Sequence, residues 1–245
     1  MAGVLRSVRG ALAALVFALP AAAGEATVAV AANFLATAER LAAAYGGAAG
    51  HEIVLAHGST GRLYAQIVNG APFDAYLAAD AARPTALDEA GLAVERAPYA
   101  LGRLVLVARA GVLSGADALA GHTVVLAEPR VAPYGAAAEE ALAALGGDGL
   151  GFRAVYGDSV GQVAAIFATG NADAAFLSAA QTAPLTARVG AVDVFGLEGF
   201  YSPIRQEAVL LPRAMGNPAA EGFFGWLFGD EARAIIASDG YGLPE

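Results

Sequence analysis

Four short segments of this 245-residue chain carry residue types suited to holding a small anion. They are Ala31-Ala32-Asn33, His57-Gly58-Ser59-Thr60-Gly61, Ala132-Pro133-Tyr134-Gly135 and Gly157-Asp158-Ser159-Val160-Gly161. Each stands between a β-rich run and an alanine-rich helical stretch, so each opens a helix at the carboxyl end of a strand. Ligands settle in that crevice in open α/β sheets. A helix N-terminus there offers unpaired N–H groups and the positive end of a dipole. Each segment also has a plainer use. Asn33 and Ser159 are of the types that cap helices, and Pro133 and Gly135 around Tyr134 suit a turn. Ser59 and Thr60 stand apart, because one cap uses one hydroxyl and the flanking glycines permit close backbone approach. Together the four segments point to a small anionic or polar ligand.

No catalytic or metal-binding constellation competes with that reading. His51, His57 and His122 are the only histidines. His57 lies beside Ser59, but one His near one Ser makes no triad without a third, orienting group. No histidine pair has helical metal-ligand spacing, and Gly58–Gly61 lacks the lysine of a phosphate-binding nucleotide loop. Glu139 and Glu140 diverge as helix neighbours and read as a solvated face. The chain has no cysteine, hence no disulfide, thiolate or N-terminal lipid attachment.

The elements that must position these segments alternate along the chain. Strands are predicted at 27–32, 52–56, 75–78, 104–108, 123–127, 154–156, 174–177 and 208–211. Helices are predicted at 34–45, 61–69, 83–90, 134–145, 160–169, 181–186, 218–229 and 230–238. The alternation gives an α/β fold with parallel sheets. The β-rich runs 101–108 and 206–211 read as two passages between lobes, with lobe one at 25–101 plus 208–245 and lobe two at 102–207. No internal repeat is visible. Trp226, among Phe223, Phe224 and Phe228, reads as core or lobe surface.

The first 24 residues read as a secretory signal peptide: Arg6 and Arg9, thirteen apolar or small residues from Ala11 to Ala23, then a small-residue cleavage site. Thirteen helical residues span only about 20 Å, short of the roughly 30 Å hydrocarbon core. Cleavage removes two arginines and no acid, so the formal charge moves from −9 to −11. That balance disfavours nucleic acid and anionic membranes as partners. It also leaves an anion site to be built without net positive charge. Lysine is absent, and the nearest arginines in sequence, Arg62 and Arg130, read as surface residues.

The same segments resemble the periplasmic molybdate-binding proteins of ABC importers. The resemblance runs through Ala31-Ala32-Asn33-Phe34-Leu35, Gly58-Ser59-Thr60-Gly61, Tyr64 to Asp74 and Ala79-Asp80. It continues through Tyr99 to Leu106, Val131-Ala132-Pro133-Tyr134-Gly135, Asp158 to Gln162 and Gly240 to Pro244, and so covers nearly all of the chain after residue 24. It implies a two-lobed type II periplasmic-binding-protein fold, each lobe a mainly parallel sheet flanked by helices, with the ligand cleft between. It implies that molybdate or tungstate is held by side-chain and backbone donors at Asn33, Ser59, Thr60, Tyr134 and Val160, the last two largely through backbone N–H groups. Molybdenum would be bound only as its oxyanion, with no direct protein ligand and no cofactor. The implied protein is a periplasmic monomer, not an enzyme, that delivers its anion to the membrane permease of an ABC importer. Two positions depart from the pattern: many members carry serine at Asn33, and some carry a second cleft tyrosine at Phe176. Sulfate, phosphate or an organic carboxylate is the alternative ligand. An amino acid would call for an Arg on its carboxylate and an acid on its ammonium, and the four segments place neither.

Overall fold

The computed structural model describes residues 24–245, so the signal peptide read at 1–24 falls, but for Gly24, outside the described residues. Ten strands form two five-stranded sheets. The first contains β1 (Glu25–Ala31), β2 (Glu52–Gly58), β3 (Ala75–Leu77), β4 (Glu95–Gly102) and β10 (Ile204–Leu210), in the order β2-β1-β3-β10-β4. The second contains β5 (Leu104–Arg109), β6 (Thr123–Ala127), β7 (Arg153–Gly157), β8 (Ala174–Ser178) and β9 (Val192–Gly196), in the order β7-β6-β8-β5-β9. β1 lies parallel to β2 and β3, and β6 lies parallel to β7 and β8. The other two strands of each sheet add antiparallel pairings.

The two orders are the same once β1, β2 and β3 are matched with β6, β7 and β8. The lobes therefore share one strand order, with β10 matching β5 and β4 matching β9, although their sequences betray no repeat. A shared device marks the equivalence. Asp74, one residue before β3, donates its N–H to Thr27 O and accepts the Thr27 N–H on Oδ2 at 2.7 Å. Asp173, one residue before β8, makes the same pair of bonds with Thr123, again with 2.7 Å to Oδ2. Each carboxylate locks the parallel strand that leads to a helix start.

Eight α-helices flank the sheets: α1 (Leu35–Ala49), α2 (Thr60–Val68), α3 (Ala82–Glu89), α4 (Pro133–Leu145), α5 (Val160–Ala168), α6 (Thr182–Val189), α7 (Pro218–Trp226) and α8 (Asp230–Ser238). Alanine makes most of them intrinsically favourable, and local signals set the ends. Pro218 opens α7 behind Asn217, whose side chain accepts the Ala219 N–H. Gly50 ends α1 at φ 71°, a left-handed turn that glycine adopts without Cβ strain. Phe34, Leu41, Phe223 and Ile236 fill the first lobe's core, and Leu104, Leu126, Phe167 and Phe176 the second's. Trp226 packs beside Tyr45 and Phe223, away from the cleft.

Three sequence expectations change. The run 101–108 is broken at Arg103 into β4 and β5, which belong to different sheets. β10 lies wholly in the first sheet, so the second passage between sheets runs through 197–203 and not through the strand. β4 and β9 were not expected as strands upstream of 101 and at 192–196. Both are edge strands, and an edge tolerates Pro98 and the charged start of β4 and Asp193 within β9, which weaken a strand signal.

Gly135 shows how closely a helix start is set on its strand, since a Cβ there would collide with the Ala127 carbonyl at the end of β6. Gly135→Ala is expected to destabilise the protein by about 1–3 kcal/mol. Urea unfolding with an unchanged m-value would read this as a lower midpoint, and an unaltered midpoint would contradict the close packing.

Candidate anion-binding site

The starts of α1, α2, α4 and α5 converge between the two sheets on one small cavity with about 200 Å³ of empty space. Asn33, Ser59, Thr60, Tyr134 and Val160 all line it, with Ala32, Ala79 and Pro133 among its apolar walls. Each of the five is at most 5% exposed, so the groups that face the cavity are nearly dry. The topological equivalence extends to the site: α1 and α2 of one lobe match α4 and α5 of the other.

Backbone donors are plentiful there. Among the described residues, no hydrogen-bond acceptor meets the N–H of Asn33, Thr60, Tyr134 or Val160. These are the unpaired donors that a helix start or its approach leaves behind. The capping alternatives separate cleanly. Ser159 does cap α5, accepting from Gln162 N–H at 3.3 Å, and Val160, the first residue of that helix, keeps an N–H that the cap does not use. Asn33 caps nothing, because Phe34 holds the N-cap position of α1. Ser59 holds the N-cap position of α2 yet makes no side-chain cap bond, and its buried Oγ has no partner among the described residues. Thr60 Oγ1 accepts from Ala79 N–H at 3.3 Å, leaving the hydroxyl proton available. The Tyr76 phenol donates to Thr60 O at 2.7 Å and fixes this helix start.

Behind the cavity lies a buried polar cluster. Asn33 Nδ2 donates to Gln206 Oε1 at 3.0 Å and to Tyr241 Oη at 3.3 Å. Tyr241 donates to Asn33 O at 2.6 Å, and the Tyr134 and Ser178 hydroxyls are 3.1 Å apart. Burial pushes the Tyr99, Tyr134 and Tyr241 phenols well above the usual tyrosine range, so they remain neutral donors. The side-chain amide expected to face the ligand is thus engaged by the protein, which leaves the backbone N–H of Asn33 as its donor without an acceptor among the described residues. Gln206, Tyr99 and Ser178 were missed as site-forming residues. Little in the sequence signals Gln206, which stands between the charged Arg205 and Glu207, and its burial becomes visible only in the sheet, where a buried polar group must find partners. Phe176 packs in the core of the second lobe and does not line the cavity.

No cationic side chain lines the cavity. Arg62 pairs with Asp158 across the cleft mouth at 2.7 Å, both more than half exposed, and Arg130 pairs with Glu128 at 2.7 Å while 86% exposed. Further bridges between the lobes are Gly61 N–H to Val131 O at 2.9 Å and Arg83 Nη2 to Arg130 O at 3.0 Å. His57 is exposed at the mouth. Among the described residues, no group of three His, Cys, Asp or Glu side chains could hold a metal ion.

This architecture is similar to that of known carriers. The solved structure of the Azotobacter vinelandii periplasmic molybdate-binding protein superposes with a TM-score of 0.83 at 36% identity, covering 90% of this chain and all of that one. The sulfate-binding protein SubI of Mycobacterium tuberculosis shares the fold alone, with a TM-score of 0.75 at 14% identity over 91% of this chain and 88% of that one. In sequence, the chain is 39% identical to the molybdate-binding protein ModA of Azotobacter vinelandii, over 95% of this chain and 96% of that protein. It is 38% identical to ModA of Rhodobacter capsulatus, over 91% and 90%. The family profile "Bacterial extracellular solute-binding protein" matches residues 26–242. The chain belongs to the bacterial extracellular solute-binding proteins.

Proposed function

We propose that this protein is a periplasmic carrier that captures molybdate or tungstate between its lobes and hands it to the membrane permease of an ABC importer. The observation that carries the reading is the Ser59 hydroxyl, buried in the cavity wall without a partner. Leaving a polar group dry and unpaired costs about 1–3 kcal/mol, a cost removed when an oxyanion supplies the acceptor. Thr60 Oγ1 and the backbone N–H groups of Asn33, Thr60, Tyr134 and Val160 supply further donors around the same point. A tetrahedral oxyanion presents acceptors in four directions and meets donors from both lobes. The metal then has only its own oxygens as ligands, and the protein needs no cofactor.

Uncharged dipoles suffice in such a place, because hydrogen bonds strengthen in a water-poor, low-dielectric cleft. The carrier acts as a monomer whose lobes, with β4 and β10 both in the first and the chain crossing at 103 and 197–203, close on the ligand. Its acidity matches a small-molecule cargo better than nucleic acid. A carrier role also accords with the transport proteins it resembles and asks for no reaction.

Four outcomes test the reading. Ser59→Ala is expected to leave the ligand-free protein as stable or about 1 kcal/mol more stable, while weakening molybdate about tenfold or more. Melting curves and calorimetry separate the two effects, and undiminished affinity would remove Ser59 from the site. Rigidly placed donors fit one size of tetrahedron, so molybdate and tungstate should bind much more tightly than sulfate. Equal sulfate binding in the same calorimeter would overturn the ligand assignment. Finally, the molybdate affinity should vary less than about threefold between 0.05 and 0.5 M sodium chloride, because exposed ion pairs contribute little and are screened. It should stay as flat from pH 6 to 9, since the only titratable group in the wall, Tyr134, is held neutral by burial. A tenfold loss with salt would point to Arg62 or Arg130 as a direct ligand.

A further inference from the structure

Gln206 lies at the centre of the cluster behind the cavity and is fully buried. Its strand reaches it through an irregularity: Gln206 pairs with Ala100, but Glu207 pairs with Pro98, so the register skips Tyr99. Bulges of this kind re-aim side chains beside functional sites, and here Tyr99 and Gln206 meet, with Tyr99 Oη 3.0 Å from Gln206 Oε1.

Proton counting fixes the amide orientations. Tyr241 has one hydroxyl proton, committed to Asn33 O at 2.6 Å. Its oxygen can therefore only accept from the Asn33 side chain, which puts Nδ2 and not Oδ1 on that face. The same Nδ2 meets Gln206, which must present its carbonyl Oε1 at 3.0 Å. That leaves Gln206 Nε2 toward the Tyr134 hydroxyl, 3.5 Å away. Gly102, where the chain leaves the first sheet, closes the remaining space: a Cβ there would come within 3.0 Å of Gln206 Nε2 and collide with the Tyr134 hydroxyl. One side chain thus joins Asn33, before α1 in the first lobe, to Tyr134, in the first turn of α4 in the second.

We propose that Gln206 is a positioning residue for anion capture, setting the spacing of the α1 and α4 starts through Asn33 and Tyr134. The proposal rests on the oxyanion reading given above. It makes Gln206 a determinant of selectivity: donors held at one spacing discriminate by anion size, and donors released from it discriminate less.

The test compares wild type, Gln206→Met, Asn33→Ala and the double variant by calorimetry with molybdate and with sulfate, alongside melting temperatures. Gln206→Met should lose about tenfold in molybdate affinity and change less than about threefold for sulfate, so that the ratio falls. In the Asn33→Ala background the same change should cost less than about threefold, because the two residues act as one unit. Wild-type affinity in Gln206→Met, equal losses for both anions, or full additivity with Asn33→Ala overturns the proposal. Should Gln206→Met fail to fold, Tyr99→Phe removes only the hydroxyl whose proton lies between Gln206 Oε1 at 3.0 Å and Ala78 O at 3.1 Å. It should lower the molybdate-to-sulfate ratio in the same direction, and an unmoved ratio counts against the proposal. A wild-type protein that binds neither anion removes the functional reading itself, and this inference with it.

Discussion

A helix begins with N–H groups that its own backbone cannot satisfy, and this protein turns four helix starts toward one enclosed point. Much else in the structure follows from that arrangement. Parallel strands are needed to deliver helices with their N-termini on one side of each sheet. Glycine is needed where a start presses on its strand, as at Gly135 over Ala127. Small side chains are needed around the point itself, so that backbone can approach it, and the walls at Ala32 and Ala79 meet that need.

The charge distribution obeys the same logic. Most of the arginines near the cleft are spent on acids outside the cavity, at Asp158, Glu128 and Asp80. The cavity keeps neutral donors, including a tyrosine that burial prevents from ionising. A site of fixed dipoles, unlike a mobile arginine clamp, has little freedom to adapt to an anion of another size. An overall negative charge is compatible with it, because the field of distant exposed carboxylates is screened within about 8 Å at physiological ionic strength.

Most of the strands and helices, and the four segments that supply Asn33, Ser59, Thr60, Tyr134 and Val160 to the cavity wall, could be read from the sequence, because both depend on local signals. A β-rich run followed by Asn, Ser-Thr, Pro-Tyr or Ser-Val and then alanines marks a strand, a donor-rich corner and a helix. What escaped was non-local. β4 and β9 have edge positions that excuse polar residues and proline, and no local pattern announces an edge. The use of each polar side chain was also out of reach. Asn33, Ser59 and Ser159 are equally good caps on paper, yet only Ser159 makes a side-chain cap bond. Asn33 turns instead to Gln206, 173 positions away, a partner that only the fold supplies. The likeness of the two lobes was invisible for a related reason, since it resides in strand order and in the Asp74 and Asp173 bonds rather than in similar residues.

The return of β10 to the first sheet has a consequence for how the chain assembles. Every strand of the second sheet lies between Leu104 and Gly196, an unbroken stretch, whereas the first sheet lacks the strand that joins β3 to β4 until Ile204–Leu210 arrives. Domains fold as units when their segments are present, and closing a long loop costs entropy before its contacts repay it. In a chain emerging N-terminus first, the later lobe has its complete sheet earlier, and the earlier lobe waits for its central strand. Gln206 rides on that strand, so the back wall of the cavity is among the last parts to form. Until β10 docks, β3 has β1 on one side only and β4 has no neighbouring strand in the sheet.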